Sequence, residues 1–558
     1  MSTDRSTASL RVFIFLAILV NFSGLFVNLM DPDAGVYASI SKNMVLNNDW
    51  VNLIFQDKDW LDKPHFPFWV TAIFFKIFGM QEWSYKLPGI LFVLLAARYT
   101  YLFAKKYYSE EIGLWASFIL LCSLHILISN NDVRAEPYLT GMIIASVYHF
   151  SNCIPDARCL RLSKARPFEN LRDLALGSLF AAMAMMTKGL FTLAPIGAAV
   201  AGHLLITRQW KQLFHIRWIL AGILLVIFIS PELYALWVQF DQHPEKIFFG
   251  KDHVSGIKFF LWDSQFGRFM NTGPIKGKGD PSFFLHTLLW AFLPWCLLMY
   301  AAFYKRIKQV FRLSGTYPEW FMLCGALFTI LIFSASKFQL PYYTNIIFPM
   351  LSVLAAVQVK QFVEKNSPAW KGIQNAISLL ALLLMLALWI FYRPAVSALP
   401  LSIFILILLA GLYLLYRSSI EMRAYLRSGL AILLVASFMN LLFYPDLLKY
   451  QSGNEMAFYV NKYFPNDPIA RSSFYMPSGE FYLKQHIQVV DSTSIHQFPQ
   501  GGLVFVSAED KEVMDRQAIA YDQVREFPEY HITMLKLKFL DPSKRESTLK
   551  KFYLIRLR

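Results

Sequence analysis

The sequence predicts a mainly α, polytopic membrane protein with a small α/β region after its last apolar segment. Its 558 residues are 56% hydrophobic and only 16% charged, whereas soluble domains carry about 25% charged residues. Long apolar runs recur up to about residue 445, and the composition changes after them. The abundant Phe, Tyr and Trp residues are typical of chains that meet lipid tails and headgroups. A soluble domain, a disordered chain and a disulfide-stapled protein are therefore excluded.

About thirteen segments are predicted to span a membrane, since a span needs roughly 20 mostly apolar residues and somewhat fewer where helices are short. They lie near residues 10–29, 84–104, 112–129, 137–152, 174–187, 189–207, 218–238, 283–303, 320–335, 341–359, 374–392, 399–416 and 427–445. Arg5 and Arg11 precede the first segment, but no small-x-small cleavage site follows its apolar core. We therefore expect a span there and not a cleavable signal.

Lysine and arginine in the short loops predict the orientation. With the N-terminus in the cytoplasm, every strongly basic loop falls on the inner side. These loops contain Lys105, Lys106, Arg158, Arg161, Lys164, Arg166, Arg172, Arg208, Lys211, Arg217, Lys305, Arg306, Lys308, Arg312, Arg417, Arg423 and Arg427. Much of the formal net charge of +15 is thereby explained without a nucleic-acid partner. An odd number of spans places the C-terminal region outside.

The C-terminal region, residues 446–558, is predicted to be a small soluble α/β domain on the outer side of the membrane. Its apolar residues alternate in the strings 502–507 and 532–537, mixed with charged helical pieces. Alternation of this kind is typical of β-strands. Residues 1–445 then form the membrane domain, with outer loops 31–83 and 239–282 over the active site.

Polar residues that are unusual for a membrane protein collect on the predicted outer side, in three loops and at two junctions between spans. They include Asp31, Asp33, Asp62, Lys63, Arg134, Glu136, Lys188, Asp263, Gln265, Arg268 and Lys337. Ionisable groups this close to a hydrocarbon core are costly, so they are functional candidates. Lys63, Arg268 and Lys337 can neutralise phosphate oxygens. Asp33 and Glu136 are expected to face the same cavity, where a carboxylate can serve as a general base.

Structural interpretations stay open for several of these residues. Asp31 and Asp33 could be solvated residues at a helix terminus, and Lys63 and Lys337 could be lysines that reach the membrane interface. Arg134 could form a structural salt bridge with Glu136.

A divalent metal ion is a further open question. Asp62 and Asp263 could contribute to a site for such an ion, although two carboxylates distant in sequence are weak evidence. No other cofactor is indicated.

Several motifs resemble the bacterial aminoarabinose transferase family, called ArnT-like, of the larger GT-C group that includes protein O-mannosyltransferases. Asp33 stands four residues before Tyr37, and Asp62-Lys63-Pro64 is followed by Trp69. The strings that begin at Phe333 and Gly267, Leu293-Pro294-Trp295, and Phe539-Leu540 before Pro542 also look like this family. The matches to the membrane domain occur in the right order over about residues 30–350.

The resemblance implies a GT-C fold, an external active site and a polyprenyl-phosphate sugar donor. By position, Asp33 matches the family's catalytic-region carboxylate and Glu136 its second acid. Lys63 and Arg268 match residues that hold the donor phosphate, and Tyr37 and Tyr343 line the cavity. Two departures stand out: Val36 occupies the place of an arginine, and Asp62 that of a metal-associated glutamate. The first weakens aminoarabinose and lipid A as expected substrates but leaves the reaction class intact.

We therefore expect an inverting glycosyltransferase in the bacterial inner membrane. It would transfer a sugar from undecaprenyl phosphate to a lipid or glycan such as lipid A or lipopolysaccharide. A protein O-glycosyltransferase of the mannosyl type is the alternative. A transporter or flippase of lipid-linked sugars would predict two related halves with paired unwound helices, and no such internal symmetry is visible in the sequence. Membrane lipids are the other expected partners.

Overall fold

The computed structural model describes residues 2–155, 170–248, 250–272, 276–312, 318–491 and 494–558. The basic residues Arg158, Arg161, Lys164 and Arg166 of one predicted inner loop lie outside these ranges. Most of the described residues before position 445 are helical, as the apolar composition predicts.

In the described residues of the first half of the chain there are thirteen α-helices and one short hairpin. The helices are α1 (Ser2–Asn21), α2 (Asp33–Leu46), α3 (Phe66–Phe78), α4 (Glu82–Tyr107), α5 (Glu110–Leu121), α6 (Leu124–Ser129), α7 (Ala135–Asn152), α8 (Leu171–Lys188), α9 (Leu193–Ile206), α10 (Trp210–Leu213), α11 (Arg217–Leu236), α12 (Gly256–Lys258) and α13 (Ser264–Phe269). Strands β1 (Ile54–Phe55) and β2 (Lys58–Asp59) pair antiparallel between α2 and α3.

The second half continues the helical bundle and then changes character. Its helices are α14 (Phe283–Ala291), α15 (Cys296–Arg312), α16 (Phe321–Ala335), α17 (Phe348–Glu364), α18 (Pro368–Tyr392), α19 (Ala398–Arg417), α20 (Ile420–Phe438), α21 (Tyr444–Leu447), α22 (Ser452–Tyr463), α23 (Pro477–Tyr482), α24 (Ala508–Arg516), α25 (Leu537–Leu540) and α26 (Pro542–Arg545). The strands are β3 (Ile469–Arg471), β4 (Ile487–Val489), β5 (Leu503–Ser507), β6 (Tyr521–Glu529) and β7 (Lys550–Leu557).

Six helical stretches of the described chain are long and apolar enough to cross a membrane. They are Glu82–Tyr107, Trp210–Asp241, Pro341–Glu364, Pro368–Tyr392, Ala398–Arg417 and Ile420–Tyr450. Four shorter apolar helices are Thr7–Asn21, Phe66–Phe78, Leu190–Ile206 and Phe321–Ala335. The chain is therefore a multi-pass membrane protein, and the count of about thirteen crossings stays a prediction.

Two of the predicted segments are broken and not continuous helices. The segment near 112–129 divides into α5 and α6, and Cys122 and Ser123 separate them. The segment near 283–303 divides into α14 and α15 around Pro294. Proline lacks a backbone N–H and clashes with the preceding turn, which explains the second break. The first segment also differs, because α1 ends at Asn21 and not near residue 29.

The strands after residue 446 form one five-stranded mixed sheet in the order β4-β3-β5-β7-β6. β3 pairs parallel with β4 and β5, and β7 pairs antiparallel with β5 and β6. Alternate residues of β5 point to opposite faces. Leu503 and Phe505 belong to the core formed with α22, and Val504 and Val506 to the core with Met514 of α24. The sheet is thus covered by helices on both faces, as an α/β unit requires.

One strand predicted in this region is wrong. The string 502–507 coincides with β5, but the string 532–537 contains no strand. The flanking Tyr530 and Phe539 stack at 3.8 Å and anchor this segment against the membrane bundle at Tyr392. Met534 and Leu537 between them stay 66% and 75% exposed.

Two carboxyl groups are buried where this region meets the membrane bundle. Asp31 Oδ1 accepts a hydrogen bond from the Ser478 N–H at 2.8 Å, and Glu529 Oε2 accepts one from the Ser452 N–H at 2.7 Å. Asp31 is therefore not a solvated residue of an open loop, which corrects one sequence-based interpretation. Burial raises the pKa of Asp31 to about 7 and that of Glu529 to about 7, although both hydrogen bonds act in the opposite direction.

These raised pKa values predict the pH dependence of stability. Between about pH 4 and 7 the folded state holds more protons than the unfolded state, so the free energy of unfolding falls as the pH rises through this window. Asp31→Asn and Glu529→Gln remove the titrating groups. We expect each substitution to raise the thermal midpoint at pH 8 by a few degrees relative to wild type, and to have much less effect at pH 4.5. Thermal unfolding in detergent at both pH values is the measurement.

The matched control is Asp252→Asn, which changes an exposed carboxylate. An unchanged midpoint at pH 8 in both test variants would contradict the prediction.

Candidate functional site

Asp33 and Arg134 form the first ion pair of a polar site at one end of the bundle. Asp33 is the first residue of α2, and Arg134 immediately precedes α7. Arg134 Nη1 lies 2.6 Å from Asp33 Oδ2, and Arg134 Nη2 lies 2.5 Å from Asp132 Oδ2. One guanidinium therefore holds two carboxylates. Asp33 keeps 42% of its side chain exposed, so a molecule in the site can reach it.

Glu136 and Lys188 form the second ion pair. Glu136 lies in the first turn of α7 and its side chain is 2% exposed, while Lys188 is the last residue of α8. Lys188 Nζ donates to Glu136 Oε1. This buried carboxylate is thereby neutralised, as burial of a charge requires.

Two tyrosine rings join the ion pairs. The ring of Tyr342 lies 4.6 Å from the guanidinium carbon of Arg134 and 5.6 Å from Lys188 Nζ. Lys188 Nζ also lies 3.9 Å from the centre of the Tyr343 ring. Cations within about 6 Å of an aromatic face are attracted by it. Asp132, Arg134, Asp33, Tyr342, Lys188 and Glu136 consequently form one continuous polar chain.

This arrangement corrects the proposed salt bridge between Arg134 and Glu136. Arg134 binds Asp33 and Asp132, and Glu136 binds Lys188. Residues two positions apart at a helix start do not face each other. The guanidinium and the carboxylate therefore take partners from different elements.

An apolar cavity of about 90 Å³ opens beside Lys188. Its apolar lining includes Leu139, Phe191, Phe269, Ile332, Phe333 and Ile346, and its polar lining includes Lys188, Ser264, Gln265 and Tyr343. Gly189 lets Gln265 approach α8. Its φ is +87°, and a Cβ there would lie 2.3 Å from Gln265 Nε2. That nitrogen donates to the Lys188 carbonyl at 3.1 Å.

A smaller polar cavity of about 20 Å³ lies on the other side of Lys188. Its lining includes Asp62 and Lys63, whose side chains form an ion pair with each other. Lys188, Ser264 and Gln265 line both cavities. Lys188 thus stands where an apolar cavity and a polar cavity meet.

A buried pair fixes the loop that carries Lys63. Glu232 of α11 accepts from the His65 backbone N–H at 3.0 Å, and its other oxygen lies 3.0 Å from His65 Nδ1. His65 Nε2 lies 2.8 Å from the Val51 carbonyl oxygen. Both ring nitrogens therefore face acceptors, which favours the doubly protonated imidazolium. Burial lowers the pKa of His65, but Glu232 outweighs it, so the pKa lies above its ordinary value.

The other sequence-predicted residues lie around this centre. Tyr37 is buried and packs against Phe68, with ring centres 5.1 Å apart. Lys337 is exposed, and its backbone N–H reaches the Phe269 carbonyl at 3.4 Å, at the end of α13. Arg268 belongs to α13, but its side chain lies outside the described part of the structure.

The possible metal site at Asp62 and Asp263 finds no support in the geometry. Asp62 pairs with Lys63, and Asp263 lies 3.8 Å from Lys258 Nζ. Within the described ranges, no group of three or more His, Cys, Asp or Glu residues is arranged to hold a metal ion.

Sequence reasoning did not assign a role to several residues of the site. Lys188 and Gln265 were visible as polar residues of the outer side, but nothing in their spacing placed them together. Tyr342 stands next to Tyr343, which the resemblance did identify. His65 directly follows the Asp62-Lys63-Pro64 motif, and this adjacency was the available signal. Glu232 lies next to Pro231 inside an apolar helix, and no motif in the sequence indicated a role for it.

Comparisons with known proteins agree with this fold. A family model described as dolichyl-phosphate-mannose-protein mannosyltransferase matches residues 62–235. The undecaprenyl phosphate-alpha-4-amino-4-deoxy-L-arabinose arabinosyl transferase of Erwinia tasmaniensis is 25% identical over 370 residues, 65% of this chain and 62% of that protein. The protein of the same name from Pseudomonas aeruginosa LESB58 is 25% identical over 422 residues, 73% and 70% of the two chains.

Two solved structures extend the comparison. ArnT from Cupriavidus metallidurans, bound to undecaprenyl phosphate, superposes with a TM-score of 0.73 at 18% identity over 98% of both chains. The Archaeoglobus fulgidus oligosaccharyltransferase in the apo form gives a TM-score of 0.52 at 11% identity, over 92% of this chain and 69% of that one.

The match over nearly the whole chain shows the GT-C membrane fold. The resemblance to the ArnT-like family that its motifs indicated is confirmed by these similarities in sequence and fold. Its alignment with the Erwinia protein spans 62% of that relative's length.

Proposed function

We propose that the protein is an inverting glycosyltransferase that uses a polyprenyl-phosphate sugar donor and a lipid or glycan acceptor. The observation that carries this proposal is the position of Lys188 between an apolar cavity and a polar cavity that also contains Lys63. Arg134 and Tyr342 connect Lys188 to the partly exposed carboxylate of Asp33. A prenyl chain is apolar and a phosphate is anionic, so one donor suits both cavities.

The cations of the site suit a phosphate leaving group. Lys63 and Lys188 each have a carboxylate partner, Asp62 and Glu136. These partners hold the ammonium groups in place near the membrane. Charge that develops on the departing phosphate is stabilised by fixed cations. We propose that Arg268, in α13, and Lys337, just after α16, are further cations that bind the phosphate.

Asp33 is the proposed general base. It would take the proton of the acceptor hydroxyl as the acceptor oxygen bonds to the sugar's anomeric carbon. The bond from that carbon to the phosphate oxygen breaks on the opposite face, and the phosphate leaves with the electron pair. Arg134 holds one oxygen of Asp33 and so orients the carboxylate. An acceptor that is itself a phosphate anion would need no base.

Two relatives bear the name of aminoarabinose transferases that use undecaprenyl phosphate. Undecaprenyl phosphate is accordingly the proposed carrier, and lipid A or another glycolipid the proposed acceptor. Val36 stands where the family has an arginine, so the sugar need not be aminoarabinose. Transfer to protein is the second candidate, because the family model that matches residues 62–235 is a protein mannosyltransferase.

The proposed location is the bacterial inner membrane, with residues 1–445 as the membrane domain and 446–558 as a domain outside the cytoplasm. The positive-inside rule supports this orientation. A C-terminal alkaline-phosphatase fusion should therefore be active, since this reporter folds only outside the cytoplasm. A reporter that works only in the cytoplasm, fused at the same position, is the control. Activity of that second fusion alone would contradict the orientation.

Replacement of Asp33 tests the mechanism. A positioned base contributes about 10²–10⁴-fold to a rate, so Asp33→Asn should lower turnover of a polyprenyl-phosphate sugar by that factor and leave donor affinity intact. Asp31→Asn should cost much less, because asparagine keeps an acceptor oxygen for Ser478. Turnover and donor affinity are measured on the purified variants.

Asp252→Asn, at an exposed position, is the control for an unspecific effect of the substitution. Full activity of Asp33→Asn with a hydroxyl acceptor would remove the base assignment.

Replacement of Lys63 tests the donor site. Lys63→Ala removes a charge-assisted contact worth about 1.5–3 kcal/mol, which corresponds to a roughly ten- to hundredfold weaker affinity for the polyprenyl-phosphate donor. Binding of the donor to purified protein in detergent is the measurement. Lys76→Ala is the matched control, since Lys76 is an exposed lysine of α3 near Trp50. Equal donor affinity in wild type and Lys63→Ala would show that Lys63 does not bind the phosphate.

A further inference from the structure

Helix α23, from the C-terminal region, is bonded to residues at both ends of α2. At its start, the Ser478 N–H donates to Asp31 Oδ1 at 2.8 Å. At its end, Lys42 Nζ donates to the carbonyls of Glu480 at 3.1 Å and Phe481 at 3.0 Å, and to that of Leu483. One ammonium thereby satisfies three carbonyls at the end of the helix, where intrahelical partners are missing.

Between these two ends the backbones of α2 and α23 come into direct contact at Gly35. A Cβ on residue 35 would lie 2.4 Å from the Ser478 nitrogen and 2.8 Å from the Pro477 carbonyl carbon. Only glycine fits there unless the helices move apart. One helical turn further on, Ser39 Oγ donates to the Pro477 carbonyl at 3.0 Å.

The segment that leads into α2 is bound by the same region. Gln451 accepts from the Asp31 N–H at 3.1 Å and donates to the Leu29 carbonyl at 3.1 Å. The Leu29 N–H donates to the hydroxyl of Tyr482 at 2.9 Å. These contacts fix the backbone that precedes Asp33. The hydrogen bonds of Ser39 and Lys42 with α23 fix α2 after Asp33.

We propose that α23 positions Asp33 for catalysis, with Lys42 and Gly35 as the positioning residues of α2. This inference rests on the proposed function of Asp33. Asp33 is the first residue of α2, and no side-chain cap holds this end of the helix. The position of the Asp33 backbone therefore depends on the contacts that α2 makes along its length. The C-terminal region is then a component of the catalytic site, although it supplies no reacting group in this inference. A displacement of about 1 Å can lower a rate about a hundredfold.

The experiment compares Lys42→Met, Lys42→Arg and Gly35→Ala with wild type in the full-length protein. We expect Lys42→Met and Gly35→Ala to lower kcat for a polyprenyl-phosphate sugar by roughly ten- to hundredfold, while the donor KM stays within about twofold. Lys42→Arg keeps a cationic donor and should recover most of the lost kcat. Lys484→Met, an exposed lysine next to α23, is the matched control and should behave as wild type.

Donor binding gives the folded fraction of each variant, so kcat is expressed per folded molecule. A wild-type kcat in both Lys42→Met and Gly35→Ala would overturn the inference. The inference would also be overturned if Lys42→Arg lost as much kcat as Lys42→Met, or if Lys42→Met and Gly35→Ala changed only KM.

Hydrogen exchange of the backbone amides separates this inference from the proposed function. In Lys42→Met, residues 29–46 should exchange at least several-fold faster than in wild type, with the rest of the bundle unchanged. Unchanged exchange there would overturn the inference even in an active enzyme. A wild-type protein that transfers no sugar, combined with faster exchange in Lys42→Met, would refute the proposed function and leave the attachment of α2 to α23 in place.

Discussion

The pairing of buried charges is the constraint on which the site depends. Burying a charge as deeply as that of Glu136, with 2% of its side chain exposed, is costly unless a cation lies close by. Lys188 supplies that cation from the last turn of α8, and Arg134 pairs with the more exposed Asp33 and Asp132. The Lys188–Glu136 and Arg134–Asp33 pairs join elements that are distant in sequence, so they also contribute to how α2, α7 and α8 meet.

The tyrosines at 342 and 343 turn these separate pairs into one site. Their rings lie against Arg134 and Lys188, the cations of the two pairs. An aromatic face attracts a cation without neutralising it. The arrangement suits a phosphate that has to bind, accept developing charge and then leave, because fixed cations stabilise that charge.

Contiguous motifs allowed part of this site to be found from the sequence. Asp33 with Tyr37, and Asp62-Lys63-Pro64, lie within short strings and could be recognised as candidates. Lys188, Gln265 and Tyr342 come from three separate elements and meet only through folding, so no spacing revealed them. The predicted partner of Arg134 was wrong for the same reason. Adjacency in sequence suggested Glu136, whereas the fold brings Asp33 to Arg134.

The fold shows the same division between local and long-range information. The apolar runs predicted helices well, because burial in lipid depends on local composition. The break between α14 and α15 follows from one proline and was equally local, yet a count of apolar residues alone overlooked it. The alternation at 502–507 is strand β5, whereas the similar string 532–537 forms no strand and lies between Tyr530 and Phe539, whose rings stack on each other. A period of two shows which side chains share a face, but not what covers that face.

The relation between the two regions of the chain follows from the same argument. The sheet after residue 446 has its own cores on both faces, formed with α22 and α24, and does not need the bundle to bury its strands. Apolar contacts join it to the bundle elsewhere, as between Phe481 and Phe75 and between Phe539 and Tyr392. Around α2 the contacts include hydrogen bonds of Asp31 and Lys42 with backbone groups of the C-terminal region. Hydrogen bonds of this kind are directional and add little net stability, but they fix geometry closely. They are therefore suited to hold α2 at a defined position, and α2 is the helix that begins with Asp33.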